Sequence, residues 1–139
     1  MKKLFIFCLS VALVIVACSK EQRVVNKLEG TWKGTSAKAN VLGFEIEVPL
    51  DGIDIIYTFN PCKVNKGFCN GTYQLDTYTD DFTYTIGNKG TTIDWIDSSG
   101  TTQSIDILEL EKTTFKVKED FGLDSTGIAE VTVTFTKQN

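Results

Sequence analysis

The chain contains no histidine. The side chain most often used as general base or metal ligand near neutral pH is therefore missing. Proline is almost absent, with 2 in 139 residues, so little interrupts extended backbone pairing. There is no Gly-x-Ser-x-Gly elbow, phosphate-binding loop or dinucleotide fingerprint. Lysine and arginine nowhere cluster and the formal charge is −4, which excludes the usual electrostatic footprint of a nucleic-acid binder. Asp97-Ser98-Ser99-Gly100 and Asp124-Ser125-Thr126-Gly127 miss the Asp-Thr/Ser-Gly spacing of aspartic proteases by one residue and read as turns. Asp76, Asp80 and Asp81 lack the Asp-x-Asp-x-Asp-Gly frame of a calcium loop. Glu45 and Glu47 share a strand face but alternate with apolar neighbours, which assigns them to solvent rather than to a glycosidase pair. No catalytic set, metal site or cofactor is expected, and the chain reads as a non-enzyme.

Long hydrophobic runs are also lacking, with one exception. Lys2 and Lys3 precede an apolar stretch from Leu4 to Ala17, broken only by Ser10. It is shorter than the roughly 20 residues of a transmembrane helix and has the form of a secretory signal. Ile15-Val16-Ala17-Cys18 resembles the lipobox of bacterial lipoproteins. That resemblance implies a signal peptide over 1–17, cleavage before Cys18 and lipidation of Cys18. Two or more acyl chains then give stable membrane attachment where one would not. Ser19-Lys20-Glu21-Gln22 partly resembles the export signal of Bacteroidetes surface lipoproteins, although only one acid is present. The implied location is the cell envelope, at the outer membrane, with the periplasmic and surface faces both open.

The 122 residues left from Cys18 onward suit one domain with a real core. Without Lys2 and Lys3 they carry 12 basic against 18 acidic side chains, so any membrane partner is reached through lipid rather than a basic face. With Cys8 in the signal and Cys18 lipidated, Cys62 and Cys69 remain. They flank a turn-rich segment, and a structural disulfide is favoured over a redox pair or half a metal site.

From Thr31 onward, Thr, Ile, Val, Tyr and Phe recur with period-two alternation. Phe44, Ile46 and Val48 share a face, as do Ile53, Ile55, Tyr57 and Phe59, Tyr73 and Leu75, Phe82, Tyr84 and Ile86, Ile93 and Trp95, Ile105 and Ile107, Phe115 and Val117, and Val131, Val133 and Phe135. Turn signals fall at Val41-Leu42-Gly43, Asp51-Gly52, Asn70-Gly71, Asp80-Asp81, 87–90, 98–100 and Glu111-Lys112. About eight or nine short antiparallel strands are predicted. Glu21–Glu29 is the helix candidate, with Val24, Val25 and Leu28 on one side, and Glu119–Gly127 reads as a loop.

Leu28-Glu29-Gly30-Thr31-Trp32 resembles the G-x-W opening of lipocalins, and more closely that of small lipocalin-like lipoproteins. Asn70–Leu75, Ile105–Leu108 with Thr113–Val117, and Val131–Lys137 resemble later strands of that family. The resemblance implies an all-β, antiparallel up-and-down barrel of about eight strands over 28–139, after a tether and helical turn over 18–27. In it Gly30 turns the chain into the first strand and Trp32 fills the closed end. Lipocalins often place an arginine over this tryptophan, and here Lys137 is the nearby candidate. The implied function is binding of a small apolar or amphipathic ligand within the barrel, lined by Tyr57, Phe59, Tyr73, Tyr84 and Trp95. The alternative is a packed barrel that binds a protein or glycan, with exposed aromatics around Tyr78 and Phe82 or around Phe121.

Overall fold

The computed structural model describes residues 20–120 and 128–139; Cys8, Cys18 and most of the 119–127 loop lie outside the described residues. Residues 20–28 form a short helix, α1. Nine strands follow: β1 (Gly30–Val41), β2 (Phe44–Val48), β3 (Ile55–Phe59), β4 (Cys69–Leu75), β5 (Tyr78–Gly87), β6 (Thr92–Asp97), β7 (Thr102–Leu110), β8 (Thr114–Asp120) and β9 (Ile128–Lys137). Every pairing is antiparallel, and β9 returns to pair with β1. Eight strands thus close a barrel, and β2 is additional. Among the described residues no helix is long and apolar enough to cross a membrane.

An eight-stranded barrel is just wide enough for side chains to fill. Here they do so with rings. Phe59 lies within 6.0 Å of Tyr84, Phe82 and Phe115, all in edge-on geometry. Tyr57 meets Phe135 at 5.2 Å and Trp95 at 5.8 Å. Gly71 is what lets two walls approach: a Cβ there would lie 2.7 Å from the Thr58 carbonyl and against the Phe82 ring. The Asn70-Gly71 pair is therefore mid-strand in β4 rather than a turn. Asp80-Asp81 likewise lies inside β5, and the reversal falls at Asp76, whose φ is +59°. Composition marked both as turns, but a close approach and an exposed strand face use the same residue types.

Helix α1 plugs one end. Its one-sided apolar spacing buries Val25 and Leu28 completely. Gly30 then turns the chain into β1 with φ +115°. Trp32 is fully buried beside Phe115, and its Nε1–H donates to the Leu28 carbonyl at 2.6 Å. Lys137 Nζ lies 5.1 Å from the Trp32 ring centroid, within cation–π range. The disulfide Cys62–Cys69 forms across the β3–β4 connection, with Cα atoms 5.6 Å apart. Gln22 fastens α1 to that connection: its Nε2 donates to the Cys62 carbonyl, and its Oε1 accepts from the Val64 amide.

Candidate functional site

The end opposite α1 is the candidate site, and it is built unevenly. β9 pairs with one edge of β1 from Trp32 to Val41. The other edge is shared: Gly30–Lys33 pair with β3, and Ala37–Val41 pair with β2. β2 and β3 thus occupy one lane, β2 beyond β3. In the next lane β4 ends at Leu75, opposite Ile55. β2 therefore stands above its neighbours as the top of a tall wall made with β1 and β9. Nothing pairs with its outer edge among the described residues.

This placement explains a departure from the alternation. Phe44, Ile46 and Val48 are expected to be the buried half of a strand. They continue the inward face of β1, in register with Val41, Ala39 and Ala37. Yet all of β2 is exposed, Phe44 at 74% and Ile46 at 51%, because no wall rises opposite among the described residues. Leu42 at the hairpin tip is exposed with φ +52°, followed by Gly43 at +87°. Two positive φ values define the type I′ turn that suits a two-residue hairpin, and the Asn40 carboxamide oxygen accepts from the Gly43 amide. A leucine in that conformation is uncommon. Below β2, Leu75 and Tyr78 are also exposed, as is Ile53.

Inside the mouth lies a polar layer. The Tyr57 hydroxyl donates to Glu119 Oε1 at a long 3.4 Å, and Trp95 Nε1–H donates to Gln103 Oε1 at 3.0 Å. Tyr73 packs on Trp95 and Tyr78. Burial raises the Glu119 carboxyl above its ordinary range, and hydrogen bonds from Tyr57 and Gln103 only partly offset it. Burial, then the Glu119 charge, pushes the Tyr57 hydroxyl well up. Tyr73 is raised by burial first, then by Tyr78, Asp80 and Asp97. Asp97 is held low, first by the Ser99 hydroxyl and then by the Thr101 amide, in a turn it closes itself. Among the described residues no three His, Cys, Asp or Glu side chains group as metal ligands.

The five residues expected to line a ligand pocket are divided. Tyr57, Phe59 and Tyr84 are core, while Tyr73 and Trp95 are half-buried towards the mouth. The void that Tyr57, Phe59 and Trp95 border with Phe82, Phe115 and Val117 is about 10 Å³, room for about one water, and neither Tyr73 nor Tyr84 lines it. Tyr84 Oη is buried without a partner at the α1 end, and burial pushes its pKa up to about 12, Glu29 adding to the shift. Of the exposed aromatics expected, Tyr78 is exposed, Phe82 is core because it turns in against Gly71, and Phe121 lies outside the described residues. Glu119, expected in a loop, is the inward residue after Phe115 and Val117 in β8. That two-residue spacing was the available signal.

No family model and no curated protein matches the chain. Among solved structures, a redesigned β-barrel matches at 17% identity over 84% of this chain and 96% of its own, with a TM-score of 0.49.

Proposed function

We propose that this protein is a lipid-anchored barrel of the cell envelope, related to the lipocalin-like lipoproteins, that binds a partner protein at its mouth. The observation that carries the reading is the apolar face of β2, exposed above a core in which Tyr57, Phe59, Phe82 and Phe115 leave a void of only about 10 Å³ between them. Contiguous exposed apolar surface marks interaction sites, whereas scattered residues do not. Leu42, Phe44, Ile46 and Val48 are contiguous. The lipobox-like Cys18 supports the anchor. One residue, Ser19, separates it from α1, so an anchor at Cys18 would set the plugged end towards the membrane and the mouth away from it.

The void among Tyr57, Phe59 and Trp95 is about 10 Å³, which leaves no room for a ligand between these rings. The deciding experiment places a photo-crosslinking side chain at Ile46 in membrane-bound full-length protein. One discrete protein adduct is expected, absent when the crosslinker sits at Lys66 on the plugged end and lost with Phe44→Ser. A stoichiometric lipid or metabolite extracted from purified protein, with no adduct, would overturn the reading. Labelled palmitate in the wild type and none in Cys18→Ala would support the anchor.

A further inference from the structure

Edge strands are normally blunted by brevity, charged side chains, proline, a bulge or a cover. Among the described residues the outer edge of β2 has no proline, lysine, bulge or cover along its five residues, Phe44-Glu45-Ile46-Glu47-Val48, so its protection is two carboxylates, which a basic segment would neutralise. In a two-residue hairpin the residues flanking the turn exchange backbone hydrogen bonds, and such pairs alternate along the ladder. Phe44, Ile46 and Val48 therefore spend their backbone groups on β1. Glu45 and Glu47 present theirs to the open edge. The side chains are sorted as well: three apolar groups face the mouth and two carboxylates face outward. Lys38 engages Glu45 at 2.7 Å, while Glu47 has no ion-pair partner among the described residues.

We infer that the open edge of β2 receives an extended segment of a partner protein as an added strand, with basic residues facing Glu45 and Glu47 and apolar residues between them. Main-chain bonds would supply register, and the alternating side chains would supply selectivity. The added strand would stand in the lane where β4 stops, beside the exposed Leu75 and Tyr78. A second copy of this chain fits poorly. Antiparallel self-pairing centred on Ile46 sets Glu45 against Glu47 twice, and like charges directly opposite destabilise a ladder. The inference rests on the mouth-docking reading and specifies how the partner is held.

The test uses the full-length protein in detergent with two capped peptides, Val-Lys-Val-Lys-Val and Val-Glu-Val-Glu-Val, titrated to millimolar concentration. The lysine peptide is expected to bind at least tenfold more tightly and to slow exchange of the Glu45 and Glu47 amides at least tenfold. Glu47→Pro removes one outward N–H, keeps the apolar face, and should weaken binding at least tenfold. The double change Glu45→Lys with Glu47→Lys should reverse the peptide preference. Unchanged amide exchange, unaltered binding by Glu47→Pro, or no binding of the lysine peptide overturns strand addition. Loss of the Ile46 crosslink by Phe44→Ser together with an unaffected Glu47→Pro would leave the docking reading standing and remove this one. If neither substitution alters any interaction, both fail.

Discussion

The two ends of the barrel use the same residue types for opposite purposes. At the plugged end, Trp32 and Phe115 are buried under Val25 and Leu28 of α1. At the mouth, Phe44, Ile46 and Tyr78 stand in solvent. Composition does not separate them. What separates them is whether an element lies across from the apolar face: α1 covers one end, and β2 rises past the strands that would have covered its own. The first arrangement contributes stability at roughly 25 cal/mol for each Å² of apolar surface removed from water. The second leaves that free energy available to a partner.

This contrast is breakable in a graded way. Trp32→Ala should cost about 3–5 kcal/mol, the range for truncating a buried aromatic. Chemical unfolding measures it, and a loss below about 1 kcal/mol would show that the plugged end does not anchor the fold. Opening the Cys62–Cys69 bridge by Cys69→Ser should cost about 2–3 kcal/mol, from the loop entropy of so short a link. Scanning calorimetry of wild type and variant under non-reducing conditions reads it.

The mouth responds to pH instead. An exposed glutamate titrates near 4.5, and Glu119 is raised above that by burial. The folded state therefore holds this proton longer than the unfolded chain. The contribution is fully present below about pH 4.5 and is lost as pH rises through the raised folded value. Glu119→Gln should flatten this fall and leave the protein more stable than wild type at pH 7, as melting curves between pH 4 and 7 would show. An unchanged slope would place Glu119 in solvent. The smallest effect is expected from Phe44→Ser, within about 0.5 kcal/mol of wild type, despite removing an aromatic ring. A loss comparable to that of Trp32→Ala would mean that β2 is covered, and the contrast between the ends would disappear.

Much of this was legible along the chain. Alternation marked every strand after β1, Val24, Val25 and Leu28 marked the helix, and Cys62 with Cys69 marked the bridge. In the structure Gly30 turns the chain, Trp32 lies at the plugged end and Lys137 lies over its ring. These are local matters, set by backbone periodicity, glycine's access to positive φ, and short loops that bring ends together.

Three things were decided only by tertiary structure. Phe44, Ile46 and Val48 share a face by sequence, but only the common lane of β2 and β3 leaves that face exposed. Tyr57, Phe59 and Trp95 point inward by sequence, but only closure of eight strands around so many rings leaves a void of about 10 Å³ between them. Glu119 resembles loop sequence, but pairing with Val131 carries it into the mouth beneath the Tyr57 hydroxyl. Period-two alternation tells which residues share a face. Whether anything lies across from that face depends on closure and stagger, which are properties of the whole sheet and not of any strand.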